Sequence, residues 1–166
     1  MRAEKIYLVG FMGAGKTTVA RALAKRLSWE AVDVDEEIER RERLPVAQIF
    51  ATRGEPYFRV VERSVLFEQL GRAHVVVATG GGTFADPQNR AAINGDGVSV
   101  WLDVPLDRLI DRIPADGRRP LAADRAGFEH LYHVRRTAYM QAHVRVDATR
   151  TSVDAVVEQL VDWLNA

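Results

Sequence analysis

The chain alternates short runs that are apolar at every position with longer stretches in which apolar residues recur every three or four places. Ile6–Val9 ends at Gly10, Val75-Val76-Val77-Ala78 ends at Thr79-Gly80-Gly81-Gly82, and Val98–Leu102 is a third run, apolar except at Ser99. Runs that are apolar throughout fit parallel strands covered on both faces. Ala31–Val34 and Val144–Val146 are weaker strand candidates. Between these runs, residues 15–27 place Val19, Leu23 and Leu27 on one helical face, with Arg21, Lys25 and Arg26 elsewhere. Residues 56–70 group Val61, Val65, Leu66 and Leu70. The last helix carries Val153, Val156, Val157, Leu160, Val161 and Leu164 behind Ser152, a residue type suited to an N-cap. Strand–helix alternation along the whole chain predicts an α/β domain with a mostly parallel sheet. Such sheets bind ligands beyond the carboxyl ends of their strands, and that is where the motifs fall.

Composition narrows the class. The 166 residues predict a single domain, 1–166, with no linker or repeat dividing it. Apolar residues make up 47%, enough for a sizeable core. Lys plus Arg and Asp plus Glu number 23 each, so the net charge is zero, which argues against a nucleic-acid binder. The absence of cysteine excludes disulfides, a zinc ribbon and a thiol nucleophile. No apolar run approaches a membrane span and no signal peptide is recognisable, so the expectation is a cytoplasmic protein with no membrane partner.

Gly10-Phe11-Met12-Gly13-Ala14-Gly15-Lys16-Thr17 follows an apolar strand and opens an amphipathic helix, as a phosphate-binding loop must. Glycines let successive N–H groups curl toward phosphate oxygens, and the helix N-terminus adds partial positive charge. Lys16 is the expected cation for the β- and γ-phosphates, and Thr17 the expected Mg²⁺ ligand.

Asp33-Val34-Asp35 lies just past the second strand candidate, where two carboxylates in extended chain would share a face toward the crevice. One could hold Mg²⁺ and the other accept hydrogen bonds from a substrate hydroxyl and act as its base. The competing reading is the start of a solvated acidic helix, since Glu36, Glu37 and Glu39 follow. Arg59 offers a planar fork for a carboxylate, the competing reading being a solvated or structurally paired arginine. Gly80, Gly81 and Gly82 permit close approach of backbone N–H groups to a ligand. Arg118 and Arg119 sit in an aperiodic stretch that reads either as a lid closing over the γ-phosphate or as an exposed basic loop. His130 and His133 have no carboxylate arranged with them, and no Ser/His/Asp grouping is present.

Together these residues resemble the shikimate kinase family over about Ile6 to Val157. The resemblance rests on Gly10–Thr18, Asp33-x-Asp35-x-x-Ile38-Glu39, Ile49-Phe50, Gly54-Glu55-x-x-Phe58-Arg59-x-x-Glu62, Thr79-Gly80-Gly81-Gly82, Arg119-Pro120-Leu121 and Arg136. It implies a P-loop, nucleoside-monophosphate-kinase-like three-layer sandwich with a five-stranded parallel sheet. It also implies transfer of the ATP γ-phosphoryl to the 3-hydroxyl of shikimate in aromatic amino-acid synthesis, with Mg²⁺. By position, Gly13, Ala14, Gly15, Lys16, Thr17, Thr18, Arg112 and Arg119 match ATP contacts, and Thr17 and Asp33 match the metal site. Asp35, Arg59, Gly80, Gly81, Gly82 and Arg136 match the shikimate site, with Phe50 and Phe58 near the ring. Lys16, Asp35 and Arg119 match the groups at the reacting centre. The implied substrate-binding segment is about 34–60 and the implied lid about 113–124, in a monomer.

The chain departs from the family pattern where Arg136-Thr137 is followed by Ala138-Tyr139-Met140 instead of the usual Pro-Leu-Tyr, which leaves the register between Arg135 and Arg136 open. A second departure is Thr149-Arg150-Thr151-Ser152-Val153 at the adenine-side loop. The competing functions are a kinase for another polyhydroxy acid such as gluconate, and a nucleotide-binding homologue without turnover.

Overall fold

The computed structural model describes residues 3–112 and 125–166. Five strands, β1 (Lys5–Val9), β2 (Glu30–Asp33), β3 (Val75–Ala78), β4 (Val98–Asp103) and β5 (Val144–Asp147), form one sheet. Their order is β2-β3-β1-β4-β5 and every neighbouring pair is parallel. All five coincide with the runs read from the sequence. The inner strands β1 and β3 are buried at every residue and β4 at all but its first, whereas the edge strands β2 and β5 are largely open to solvent. Their half-exposed position explains their weaker apolar signature.

Seven helices among the described residues cover the sheet: α1 (Lys16–Leu27), α2 (Val34–Glu42), α3 (Val46–Phe67), α4 (Pro87–Asp96), α5 (Leu106–Asp111), α6 (Arg125–Tyr139) and α7 (Val153–Asn165). The Ser152 side chain caps α7 by accepting the Ala155 N–H, as its position predicts. A single 3₁₀ turn, Thr83–Ala85, follows β3. No described helix is long and apolar enough to cross a membrane.

Two local expectations are corrected. The helix read over 56–70 begins ten residues earlier, at Val46, but Gly54 (φ 84°, ψ 165°) interrupts it. A left-handed φ at this point needs glycine, and Pro56 then restarts the helix, where its missing N–H costs little. The bend brings Phe50 and Phe58 together, ring centroids 4.7 Å apart. The second correction concerns Asp33-Val34-Asp35, which is not extended: β2 ends at Asp33, and Asp33 caps α2 by accepting the Glu36 N–H at 2.9 Å. Asp35 therefore lies in the first helical turn. Asp33 and Asp35 thus open an acidic helix, and both line the crevice at its start.

Candidate active site

One cavity of about 680 Å³ lies beyond the carboxyl ends of β1, β2 and β3. The phosphate loop, α2, both halves of α3, the triglycine turn, Arg112 and α6 wall it.

The loop leaves β1 at Gly10 (φ 150°), where a Cβ would lie 2.9 Å from Leu102 O on β4. Only glycine lets the loop start so close to the neighbouring strand. Gly15 (φ 96°) is the N-cap of α1, whose first turn holds no acidic residue and so leaves the helix N-terminus favourable to an anion. Lys16, 8% exposed, folds over the loop and donates to Gly10 O (2.6 Å) and Phe11 O (2.9 Å). Gly13, Gly15, Lys16, Thr17 and Thr18 all line the cavity. Ala14 does not: it is buried, and its N–H donates to Phe11 O. Arg112 reaches over the loop to Gly13 O at 3.1 Å. Arg119 and the expected lid lie outside the described residues.

The Thr17 hydroxyl donates to Asp33 Oδ2, which joins the first turn of α1 to the end of β2. A hydroxyl and a carboxylate beside a phosphate cradle form a hard-oxygen set that suits Mg²⁺, an ion that keeps several waters and takes few protein ligands.

Beside the loop, the triglycine turn that follows β3 is crowded by charged side chains. A Cβ on Gly80 would lie 2.9 Å from Asp35 Oδ1 and 3.2 Å from Glu62 Oε2. On Gly82 it would lie 2.6 Å from Arg59 Nη2 and 2.9 Å from Arg135 Nη2. The glycines are thus required by space, so that two guanidiniums can lie against bare backbone.

Arg59 comes from the second half of α3 and pairs with Glu62 (3.1 Å) and Glu55 (3.2 Å). Burial opposes its charge, but the two carboxylates outweigh it and hold Arg59 above the ordinary arginine range. Glu62, 1% exposed, also accepts from Thr83 Oγ1 at 2.9 Å. Arg135 is 6% exposed and lies over the Phe11 ring; among the described residues no acidic side chain forms a salt bridge with it, although Glu55 and Glu62 act on its charge from farther away. Burial pulls it below the ordinary arginine range and the like charge of Arg59 adds to this. Arg135 is thus a buried cation that lines the cavity and forms no salt bridge among the described residues, an environment that favours an incoming anion.

Arg136 is not in this site. It bonds to Asp103 Oδ1 (3.2 Å) and to the Tyr132 hydroxyl (3.3 Å), and stacks over Trp101. The physical reason is helical phase. Arg135 lies seven residues after Phe128 and four before Tyr139, both buried, and so shares the inward face of α6, while Arg136 is turned about 100° away. That spacing was the available signal for Arg135. Glu62, Thr83 and Tyr139 also escaped the sequence reading as site residues: Glu62 looks like a polar position within an apolar helical pattern until its partners are seen. Tyr139 donates to Gly81 O.

A parallel sheet of this order, with a phosphate loop after β1 and a cavity beyond the strand ends, defines a P-loop kinase of the nucleoside-monophosphate-kinase type. The shikimate kinase family model matches residues 12–165. Shikimate kinase of Persephonella marina is 39% identical over 159 residues, covering 95% of this chain and 97% of the relative. Among solved structures, shikimate kinase from Acinetobacter baumannii in complex with shikimate aligns with a TM-score of 0.92 at 34% identity, over 98% of this chain and 93% of that one. Deoxyadenosine kinase from M. mycoides with bound dATP, at 20% identity and a TM-score of 0.67, shares the fold alone. The chain belongs to the shikimate kinase family, whose members are ATP-dependent kinases.

Proposed function

We propose that this chain transfers the γ-phosphoryl of ATP to the 3-hydroxyl of shikimate. The observation that carries the reading is the convergence of the Arg59 and Arg135 guanidiniums on the triglycine turn, in the cavity that the phosphate loop also lines. Shikimate is a small ring with one carboxylate and three hydroxyls. Arg135, Arg59 and the backbone of Gly81 and Gly82 suit the carboxylate, with Phe50 and Phe58 beside the ring. Asp35 suits the hydroxyl nearest the phosphate loop, where it can accept the proton released on attack.

The transition state of phosphoryl transfer is loose, so positioning and charge stabilisation carry the rate. Lys16 and the helix N-terminus of α1 take the phosphates, and Arg112 and Arg119 add to the ATP contacts. Thr17 and Asp33 would hold Mg²⁺, which would neutralise charge on the bound phosphates.

The test is ADP release from Mg·ATP with shikimate, gluconate or quinate. Strong stimulation by shikimate alone is expected. Stimulation by gluconate and not by shikimate would overturn the assignment, as would no stimulation by any of them.

A further inference from the structure

The triglycine turn is held by hydrogen bonds to its carbonyls and to its first N–H. Gly80 N–H donates to Thr83 Oγ1 (2.9 Å), Gly80 O accepts from Thr83 N (3.2 Å) and Gly82 O accepts from Ala85 N (3.2 Å). Those partners are local. The Gly81 carbonyl is held from elsewhere, by the Tyr139 hydroxyl on α6. Because the peptide group is planar and trans, fixing the Gly81 C=O also fixes the plane of the Gly81–Gly82 peptide. The Gly82 N–H then points away from Tyr139.

Tyr139 is 2% exposed and does not line the cavity. It stands one helical turn after Arg135, on the same face of α6. Arg135 Nη1 lies 3.2 Å from the position a Cβ on Gly81 would take. One helix face therefore supplies both the buried cation and the hydroxyl that sets the backbone beside it. Burial keeps the phenol protonated well beyond its ordinary range, so it remains a donor at any working pH.

Resting on the shikimate reading above, we propose that Tyr139 is a positioning residue for the substrate carboxylate. Its hydroxyl locks the Gly81–Gly82 peptide in register with Arg135, so that the cation and the backbone donor meet the same anion. The residue touches no reacting atom, and its effect passes through Gly81. A phenol that merely satisfied itself would lend stability to α6 and leave ligand affinity unchanged.

The experiment is calorimetric binding to the full chain, wild type against Tyr139→Phe. Two ligands are compared: shikimate, and the analogue in which the carboxylate is reduced to a primary alcohol. Loss of one hydrogen bond predicts a Kd for shikimate raised about 5- to 20-fold in the variant, with the Kd of the alcohol changed less than about twofold. The KM for ATP is expected to stay unchanged. Equal weakening toward both ligands overturns the proposal, as does an unchanged Kd accompanied only by a lower Tm. Wild-type protein that binds no shikimate overturns the reading of the site itself, a different result from either. If Tyr139→Phe does not fold, 4-aminophenylalanine and 4-fluorophenylalanine at position 139 make the same comparison. The amine is expected to retain shikimate affinity and the fluoride to lose it. Equal affinity in the two overturns the proposal.

Discussion

Arg59 and Arg135, carried by α3 and α6, both lie within 3 Å of the point where a Cβ on Gly82 would sit. Gly82 itself has an ordinary backbone conformation, φ −100° and ψ −7°, which any residue can adopt. Its need for glycine is therefore one of space.

Gly82→Ala is expected to fold normally and to displace both guanidiniums, whose tips are the flexible ends of long side chains. Misplacement of the anion site by about 1 Å predicts a shikimate KM raised roughly 10- to 100-fold. Steady-state kinetics with an unchanged KM would show that the arginines do not act where the structure puts them.

Arg135→Ala and Arg136→Ala should separate cleanly. Removing Arg135 takes away a buried charge-assisted contact and predicts shikimate binding weaker by about 2–3 kcal/mol. Removing Arg136 leaves Asp103 paired with Arg145, so it should cost about 1 kcal/mol of stability or less and leave affinity alone. Calorimetry and thermal melts on both variants check the pair.

Asp33 has two roles, capping α2 and meeting Thr17. Asparagine caps a helix about as well as aspartate, so Asp33→Asn should melt near the wild-type temperature. It should nonetheless need roughly tenfold more Mg²⁺ for half-maximal rate, since a neutral amide is a poorer ligand for a hard cation. A Mg²⁺ titration of activity decides it, and chelation of the metal should abolish turnover in both proteins.

Lys16→Ala removes the cation folded over the phosphate loop. The expected result is a kcat reduced roughly 100-fold or more with the shikimate KM little changed, because the charge acts on the transferring group.

Gly10→Ala combines a φ of 150° with a Cβ 2.9 Å from Leu102 O, on backbone that cannot swing aside. It should destabilise the protein by about 1–3 kcal/mol, read by denaturant unfolding.

Local chemistry was legible in the order of residues. The phosphate loop is contiguous, so its glycines, Lys16 and Thr17 declare themselves without a fold. The inner strands declare themselves because burial on both faces makes nearly every position apolar, Lys5, Ser99 and Asp103 being buried exceptions. Ser152 declares itself as a cap because the apolar helical pattern begins just after it. What the sequence by itself determined is this set of short-range facts, together with the family resemblance they carry.

Tertiary structure decided which distant groups share the cavity. Arg135 or Arg136 is a choice of helical phase, settled when Phe128, Tyr132 and Tyr139 bury one face of α6 and send Arg136 to Asp103. Glu62 reads as a solvated helix position until burial sets it between Arg59 and Thr83. Asp35 takes its place because β2 stops one residue sooner than its apolar run, and Asp33 caps a helix there. In each case the local sequence tolerates two arrangements. The choice between them comes from packing against elements far away in the chain, where a buried charge is stable only beside the partners or the ligand that the fold brings to it.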